Sequence, residues 1–196
     1  MDDYVYVFFD LETNGLNPVR NVILSAAYLI TPDPHCVIVR GEEEKVLSYL
    51  SENLFGPFVL SDSSGKPMHF LTFGGTKFDM PFLMLRVLKT NPLAACWDFY
   101  HRLSFYHSDL KQFARVQTGS WKQSALEDVV RWYHPECELF WAHPEPRGWD
   151  DLSREEWARM SAYQLEEMRA LVYFSRSFFP IYTDVKTIVA REVDLF

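Results

Sequence analysis

Two acids, Asp10 and Glu12, end an uncharged run from Tyr4 to Phe9. The run is rich in β-branched and aromatic residues and too short for a typical helix, so it reads as a buried strand. Residues i and i+2 of a strand share a face, so Asp10 and Glu12 project side by side at the strand's end. Carboxylates forced together repel, and desolvation adds to the cost of their charge. A hard cation between them resolves this, because Mg²⁺ and Mn²⁺ take oxygen ligands. The alternative is a strand end entering water, with a turn at Asn14-Gly15. Asp79 follows the apolar run from Met68 to Phe73 and precedes a helix that Pro81 favours starting near residues 78–80. The edge beyond the carboxyl ends of strands is a usual place for a site in open α/β sheets, but Asp is equally a preferred helix cap. Tyr163 and Glu167 are spaced i, i+4 and share a helix face. An exposed acidic patch is the competing reading there, and for Glu166 it is the preferred one.

These residues need a sheet and helices to position them. Val22 to Leu29 is a second apolar segment, with small Ser25-Ala26-Ala27 in its middle, and residues 36–39 read as a third strand after the break at Thr31-Pro32-Asp33-Pro34. Short connections suggest an antiparallel meander of these three. A helix opens at Glu42-Glu43-Glu44, acidic where the dipole favours acids, with Val46, Leu47, Leu50 and Leu54 on its inner face. Residues 61–67 read as a loop and Met68 to Phe73 as a fourth strand. The next helix should turn Phe82, Leu83, Leu85, Val87 and Leu88 inward. A fifth strand is expected near Ser104-Phe105-Tyr106, and a helix from Asp109-Leu110 to about Val116. Ser124 to Glu127 has a capping-box pattern. Residues 135–151 form a long irregular stretch, and five of the six tryptophans lie between Trp121 and Trp157. Such aromatics either stack on bases or fix the loop to the core. Ser153 to about Phe179 reads as helical, capped at Ser153 and broken near Ser161.

The chain has 196 residues, enough for one sizeable core, so one domain over 1–196 is expected. At 48% hydrophobic residues it is a folding sequence. No apolar run approaches the roughly 20 residues of a membrane span, and Met1-Asp2-Asp3 is acidic where a secretory signal is basic. Cys36, Cys96 and Cys137 match no zinc spacing or disulfide framework, which fits a reducing, cytoplasmic setting. A net charge of −8 argues against a broad grip on duplex DNA. It leaves open action on nucleic acid through bound metal in a local cleft.

The order Asp10-x-Glu12, then Phe78-Asp79-x-Pro81-Phe82-Leu83, then Tyr163-x-x-x-Glu167 resembles the DEDD superfamily of 3′→5′ exonucleases, in its tyrosine-bearing branch. Phe9 to Gly15 looks like the first exonuclease motif and Thr76 to Leu83 like the second. His107-Ser108-Asp109-Leu110 and the helix after Ser124 are similar to the stretch between motifs two and three in exonucleases related to family B DNA polymerases. The likeness spans about residues 4–179. It implies a ribonuclease H-like α/β fold, with a mixed central sheet of about five strands and helices on both faces. It further implies hydrolysis of phosphodiesters from the 3′ end of single-stranded nucleic acid, DNA over RNA, releasing nucleoside 5′-monophosphates. Two divalent ions, Mg²⁺ or Mn²⁺, would act. By resemblance Asp10 bridges both ions, Glu12 and Glu167 complete the site of the ion holding the attacking water, and Asp79 serves the other. Tyr163 orients the water. Thr13, Leu16 and Phe78 are the implied contacts to the terminal nucleotide, and a replication or repair protein is the implied partner. Two departures stand out. The family has Asp where this chain has Glu167, and often His-Asn where it has Gly74-Gly75. The competing functions are an exonuclease-fold binding module with a weakened site, favoured by Glu167 and net acidity, and a different ribonuclease H-like phosphotransferase that cuts internally.

Overall fold

The computed structural model describes residues 4–64, 66–90, 95–118, 125–133, 135 and 148–196. Its centre is a six-stranded mixed sheet in the order β5-β4-β1-β2-β3-β6. Strands β1 (Val5–Thr13), β2 (Ile23–Ile30) and β3 (His35–Gly41) form the expected antiparallel meander. Strands β4 (Met68–Thr72) and β5 (His107–Asp109) add in parallel on one side of β1, and β6 (Val189–Leu195) pairs in parallel with β3.

The two-residue period of β1 divides the core into two layers. Val7, Phe9 and Leu11 face helices α1 (Glu43–Leu50), α2 (Gly56–Ser64), α3 (Asp79–Thr90) and α4 (Ala95–Leu103). Tyr6 and Phe8 face α5 (Leu110–Thr118), α6 (Leu126–Tyr133) and the 22-residue α7 (Arg154–Ser175). Helices therefore cover both faces, as doubly buried central strands require. Val46, Leu47, Leu50 and Leu54 are all buried, as their spacing predicts. No helix of the described residues is long and apolar enough to cross a membrane.

Several expectations fail for identifiable reasons. The sheet has a sixth strand, β6, which is largely exposed and carries Arg191, Glu192 and Asp194. It is held by Arg40 of β3, which donates to Glu192 at 2.9 Å and Asp194 at 2.5 Å. The fifth strand begins at His107, not Ser104. Residues 104–106 close the turn after α4, with the Phe105 and Tyr106 amides both donating to the Arg102 carbonyl. The polar residues Ser61 to Ser64 continue α2 instead of starting a loop; a π-helical turn, Ser51–Phe55, links that helix to α1. Helix α7 runs unbroken through Ser161, whose hydroxyl accepts from Arg40 Nη1 at 2.7 Å. Its start is capped as expected, by a reciprocal Ser153–Glu156 box. On α3 the inner face is Asp79, Phe82, Leu83 and Arg86 at i, i+3, i+4, i+7, whereas Leu85 and Leu88 are exposed. The capping box at Ser124 and most of the stretch 135–151 lie outside the described residues.

Candidate active site

Asp10 and Glu12 occupy the same face of β1 as Tyr6 and Phe8, and so point toward α7. Across the strand pair they oppose Ala27 and Ser25, small side chains that leave room for carboxylates beneath the helix. The β1–β2 register shifts between Glu12 and Thr13, so regular pairing ends where the acids emerge. Helix α7 is fixed above them by buried contacts, among them the Ser25 hydroxyl donating to Gln164 Oε1 at 2.7 Å. One turn of that helix brings Tyr163 and Glu167 over the strand end.

The result is a convergence of acids distant in sequence. Asp10, Glu12 and Glu167 each offer a carboxylate oxygen within 4.8 Å of the others'. The Tyr163 hydroxyl donates to Glu167 Oε1 at 2.7 Å, and Glu167 shares a hydrogen bond with Asp10. Glu166 instead pairs with Arg169 at 2.5 Å, away from the cluster, as the helical turn of about 100° per residue demands. Asp79 arrives from the other layer. It is buried in the first turn of α3 and accepts a hydrogen bond from its own backbone amide. The charges of Asp10 and Glu12 reach its carboxyl, but the oxygens that lie within 4.8 Å of one another are those of Asp10, Glu12 and Glu167, without Asp79.

Burial, first, and neighbouring charge, second, push the carboxyls of Glu12, Asp79 and Glu167 well above the usual carboxylate range. Asp10 is the neighbouring charge named for all three. The Tyr163 hydrogen bond acts the other way on Glu167. Tyr163 itself is buried, and both burial and the adjoining Glu167 hold its phenol protonated far above the ordinary range. It is therefore a hydrogen-bond donor at neutral pH, not a base.

The remaining predicted contacts are placed less uniformly. Thr13 is buried and its hydroxyl donates to the Gly15 carbonyl at 2.9 Å, closing the turn. Leu16 stands 82% exposed at the tip of that turn, next beyond the acids. Phe78 is half-buried beside Phe82, with ring centroids 5.4 Å apart, directly before Asp79.

One residue that the sequence pattern marked in the stretch between the motifs and as a helix start, without a role in the site, is an organiser of the loop beside it. Asp109 is buried, and its carboxylate accepts from the amides of Gly74 at 2.7 Å, Lys111 at 3.0 Å and Thr76 at 3.3 Å. It thereby fixes the loop that delivers Asp79. The signal was present in an Asp at a strand end, but its partners lie 35 and 33 residues away. The Gly74-Gly75 pair acquires a reason here. Gly74 adopts a φ of +84°. A Cβ on Gly75 would come within 2.3 Å of Thr72 Oγ1 and 2.9 Å of Asp79 Oδ2. The glycines make room for the acid and its loop.

A family model of the RNase_H superfamily matches residues 7–173. The chain belongs to this superfamily. The match spans Asp10, Glu12, Asp79, Tyr163 and Glu167. Among solved structures, the family B DNA polymerase from the hyperthermophilic archaeon Pyrobaculum calidifontis superposes with a TM-score of 0.64 and 14% identity, over 88% of this chain and 24% of that one. At that identity the likeness is one of fold, and this RNase H superfamily member spans about a quarter of the polymerase's length. No curated protein matches it.

The donor set suits a divalent cation. Three carboxylates converge, a fourth, Asp79, is near enough to feel the charge of two of them, and all offer hard oxygen atoms. Oxygen-only sites of this kind fit Mg²⁺ or Mn²⁺ rather than softer metals. Superfamily membership supports a nuclease-type activity on nucleic acid.

Proposed function

We propose that this protein is a metal-dependent 3′→5′ exonuclease of the tyrosine-bearing DEDD branch. It acts on single-stranded nucleic acid, DNA in preference to RNA, and releases nucleoside 5′-monophosphates. The observation that carries this reading is the Tyr163–Glu167 hydrogen bond standing over Asp10 and Glu12. A phenol held protonated against one member of an acid cluster is what a water-positioning residue requires, and ribonuclease H-like folding alone does not supply it.

Asp10, Glu12 and Glu167 would hold divalent ions, with Asp79 contributing from α3. When bound, such ions polarise the phosphoryl group and stabilise the entering and leaving oxygens of an in-line displacement. The chain's own residues do the rest. Tyr163 donates through its hydroxyl and keeps Glu167 oriented. Leu16 and Phe78 flank the cluster as apolar surfaces for a terminal base. Asp109 holds the loop that keeps Asp79 in register. The Glu167 side chain, one methylene longer than the family's Asp, meets Tyr163 at ordinary hydrogen-bond length, which supports its use as a ligand in this chain.

The test uses single strands labelled at either end, in DNA and RNA, with Mg²⁺ or Mn²⁺. Early release of a labelled mononucleotide from the 3′ end, with a 5′-labelled ladder shortening stepwise, is the expected outcome. Cleavage of a circular single strand would replace the reading with an internal nuclease. A second reading, a binding module on the same fold, draws on the Glu167 departure. Strand binding without hydrolysis, by both the wild-type protein and Glu167→Asp, would establish it.

A further inference from the structure

We propose that Lys77, Lys111 and Arg115 form a phosphate-binding track that grips the backbone of the substrate strand beside the acid cluster. The inference rests on the proposed action on single-stranded nucleic acid and identifies how an acidic protein holds that polyanion.

The geometry begins at the two glycines. The Cβ direction of Gly75 meets the Asp79 carboxylate, and that of Gly74 meets the Lys111 side chain at 3.5 Å. Adjacent Cα atoms are about 3.8 Å apart. The Lys111 stem and the Asp79 carboxylate thus lie beside two consecutive residues of one loop. The Lys111 ammonium lies 5.5 Å over the ring of Phe73, the residue preceding the glycines, so it is held in place by a cation–π contact. Lys77 lies on the same loop, its amide closing the turn onto the Gly74 carbonyl at 3.0 Å, and its side chain is exposed. Arg115 follows Lys111 by four residues on α5 and so shares its face.

Charge makes the arrangement unusual. The protein carries 19 basic against 27 acidic side chains, yet burial first, then the like charges of Arg115 and Lys77, lower the pKa of Lys111 against the opposing pull of Asp109. Among the described residues, none of the three makes an ion pair. Asp109, the nearest acid, already accepts three backbone amides. Arg115 keeps its Nε buried without a partner among the described residues. Cations left repelling one another cost stability unless an anion joins them. A row of phosphates does so, and guanidinium and ammonium groups are its ordinary partners.

The experiment measures fluorescence anisotropy of a labelled oligothymidylate on the Asp10→Asn protein, so that binding is read without hydrolysis. Salt is varied between about 50 and 300 mM. Each phosphate contact contributes about 0.7 to the slope of log affinity against log salt for a single strand. Lys111→Gln/Arg115→Gln on that background should weaken binding about tenfold at low salt and reduce the slope by about 1.4. Lys77→Gln, at an exposed position, should reduce it by about 0.7. A merely structural role moves affinity without moving the slope. Unchanged slopes in both variants, or no strand binding by the Asp10→Asn protein, overturn the track. Intact binding with the predicted slopes, alongside wild-type protein that hydrolyses nothing, overturns the proposed activity and leaves the track standing.

Discussion

Glu43, buried, and Glu167, half-buried, lie on opposite faces of one sheet, and their surroundings are opposite. Glu43 is buried and meets the equally buried Arg86, which reaches both of its oxygens, while the Ile23 amide donates to Oε1 at 2.8 Å. Arg86 also donates to the Pro18 carbonyl at 3.3 Å, so the pair ties α1, α3 and the turn carrying Leu16 together. Glu167 faces two further carboxylates and a phenol. A buried charge met by its opposite is architecture, and breaking it leaves an uncompensated ion. Carboxylates gathered against one another repel and destabilise the fold, and a divalent cation would relieve that repulsion. The contrast separates the acid that holds the frame from the acids proposed to do chemistry.

The comparison yields graded expectations. Asp10→Asn should cut metal-dependent release of nucleotides by at least about 100-fold, the scale of loss that even a 1 Å misplacement brings. The same change should raise the melting temperature of metal-free protein, because it removes the charge that Glu12, Asp79 and Glu167 all feel. Retained nucleotide release by this variant would refute the assignment. On the other face the signs reverse. Arg86→Met should cost about 3–5 kcal/mol of stability by stranding Glu43, read by denaturant titration, with metal binding by the folded fraction retained. Glu43→Leu combined with Arg86→Met should recover most of that loss; a double variant no better than the single would show that the pair does more than neutralise itself.

Stability against pH gives a smaller effect with a definite sign. Glu12, Asp79 and Glu167 have folded-state pKa values above their unfolded ones. Their protons favour the fold fully below the ordinary carboxylate range. That stability is lost as pH rises through the raised values. Metal-free protein should therefore melt at progressively lower temperature from about pH 5 upward, and saturating Mn²⁺ should flatten the curve. A melting temperature that climbs over this window contradicts the shifts. The smallest effect concerns side-chain length: Glu167→Asp should retain or raise the activity, although Glu167→Ala, which removes the carboxylate altogether, should lose it by orders of magnitude. Wild-type protein should prefer Mn²⁺ by a few-fold, since Mg²⁺ demands near-ideal octahedral geometry. A wild-type preference for Mg²⁺ that Glu167→Asp leaves unchanged would show that the longer arm carries no strain.

What could be read in the sequence divides by the range of the interactions involved. Strand β1 declares itself because its period is local, and the shared face of Asp10 and Glu12 follows from that period alone. The meander and the capped start of α7 are local in the same way. Strand β6 was hidden because its partner, Arg40, is 152 and 154 residues from the acids it binds. Polarity there signals ion pairing across an edge, not a loop. Arg86 was missed on the inner face of α3 because nothing nearby announces Glu43. Ser161 reads as a helix break in the sequence because Arg40, the partner that keeps it inside α7, is 121 residues away. In the site, spacing placed Tyr163 and Glu167 on one face, but only the packing of α7 over small Ser25 and Ala27 brings that face onto β1. Asp109 escaped because its role is to hold amides of a loop more than 30 residues earlier.

The claim on which the rest depends is that Asp10, Glu12, Asp79 and Glu167 make one cation site that holds protons until a metal displaces them. Calorimetric titration of metal-free protein with Mn²⁺ at pH 7, in two buffers of different ionisation enthalpy, measures that exchange directly. Binding should release about one proton or more per protein, and Asp10→Asn should weaken both the binding and the release. Mn²⁺ binding that releases no proton, or that Asp10→Asn leaves unchanged, would contradict it.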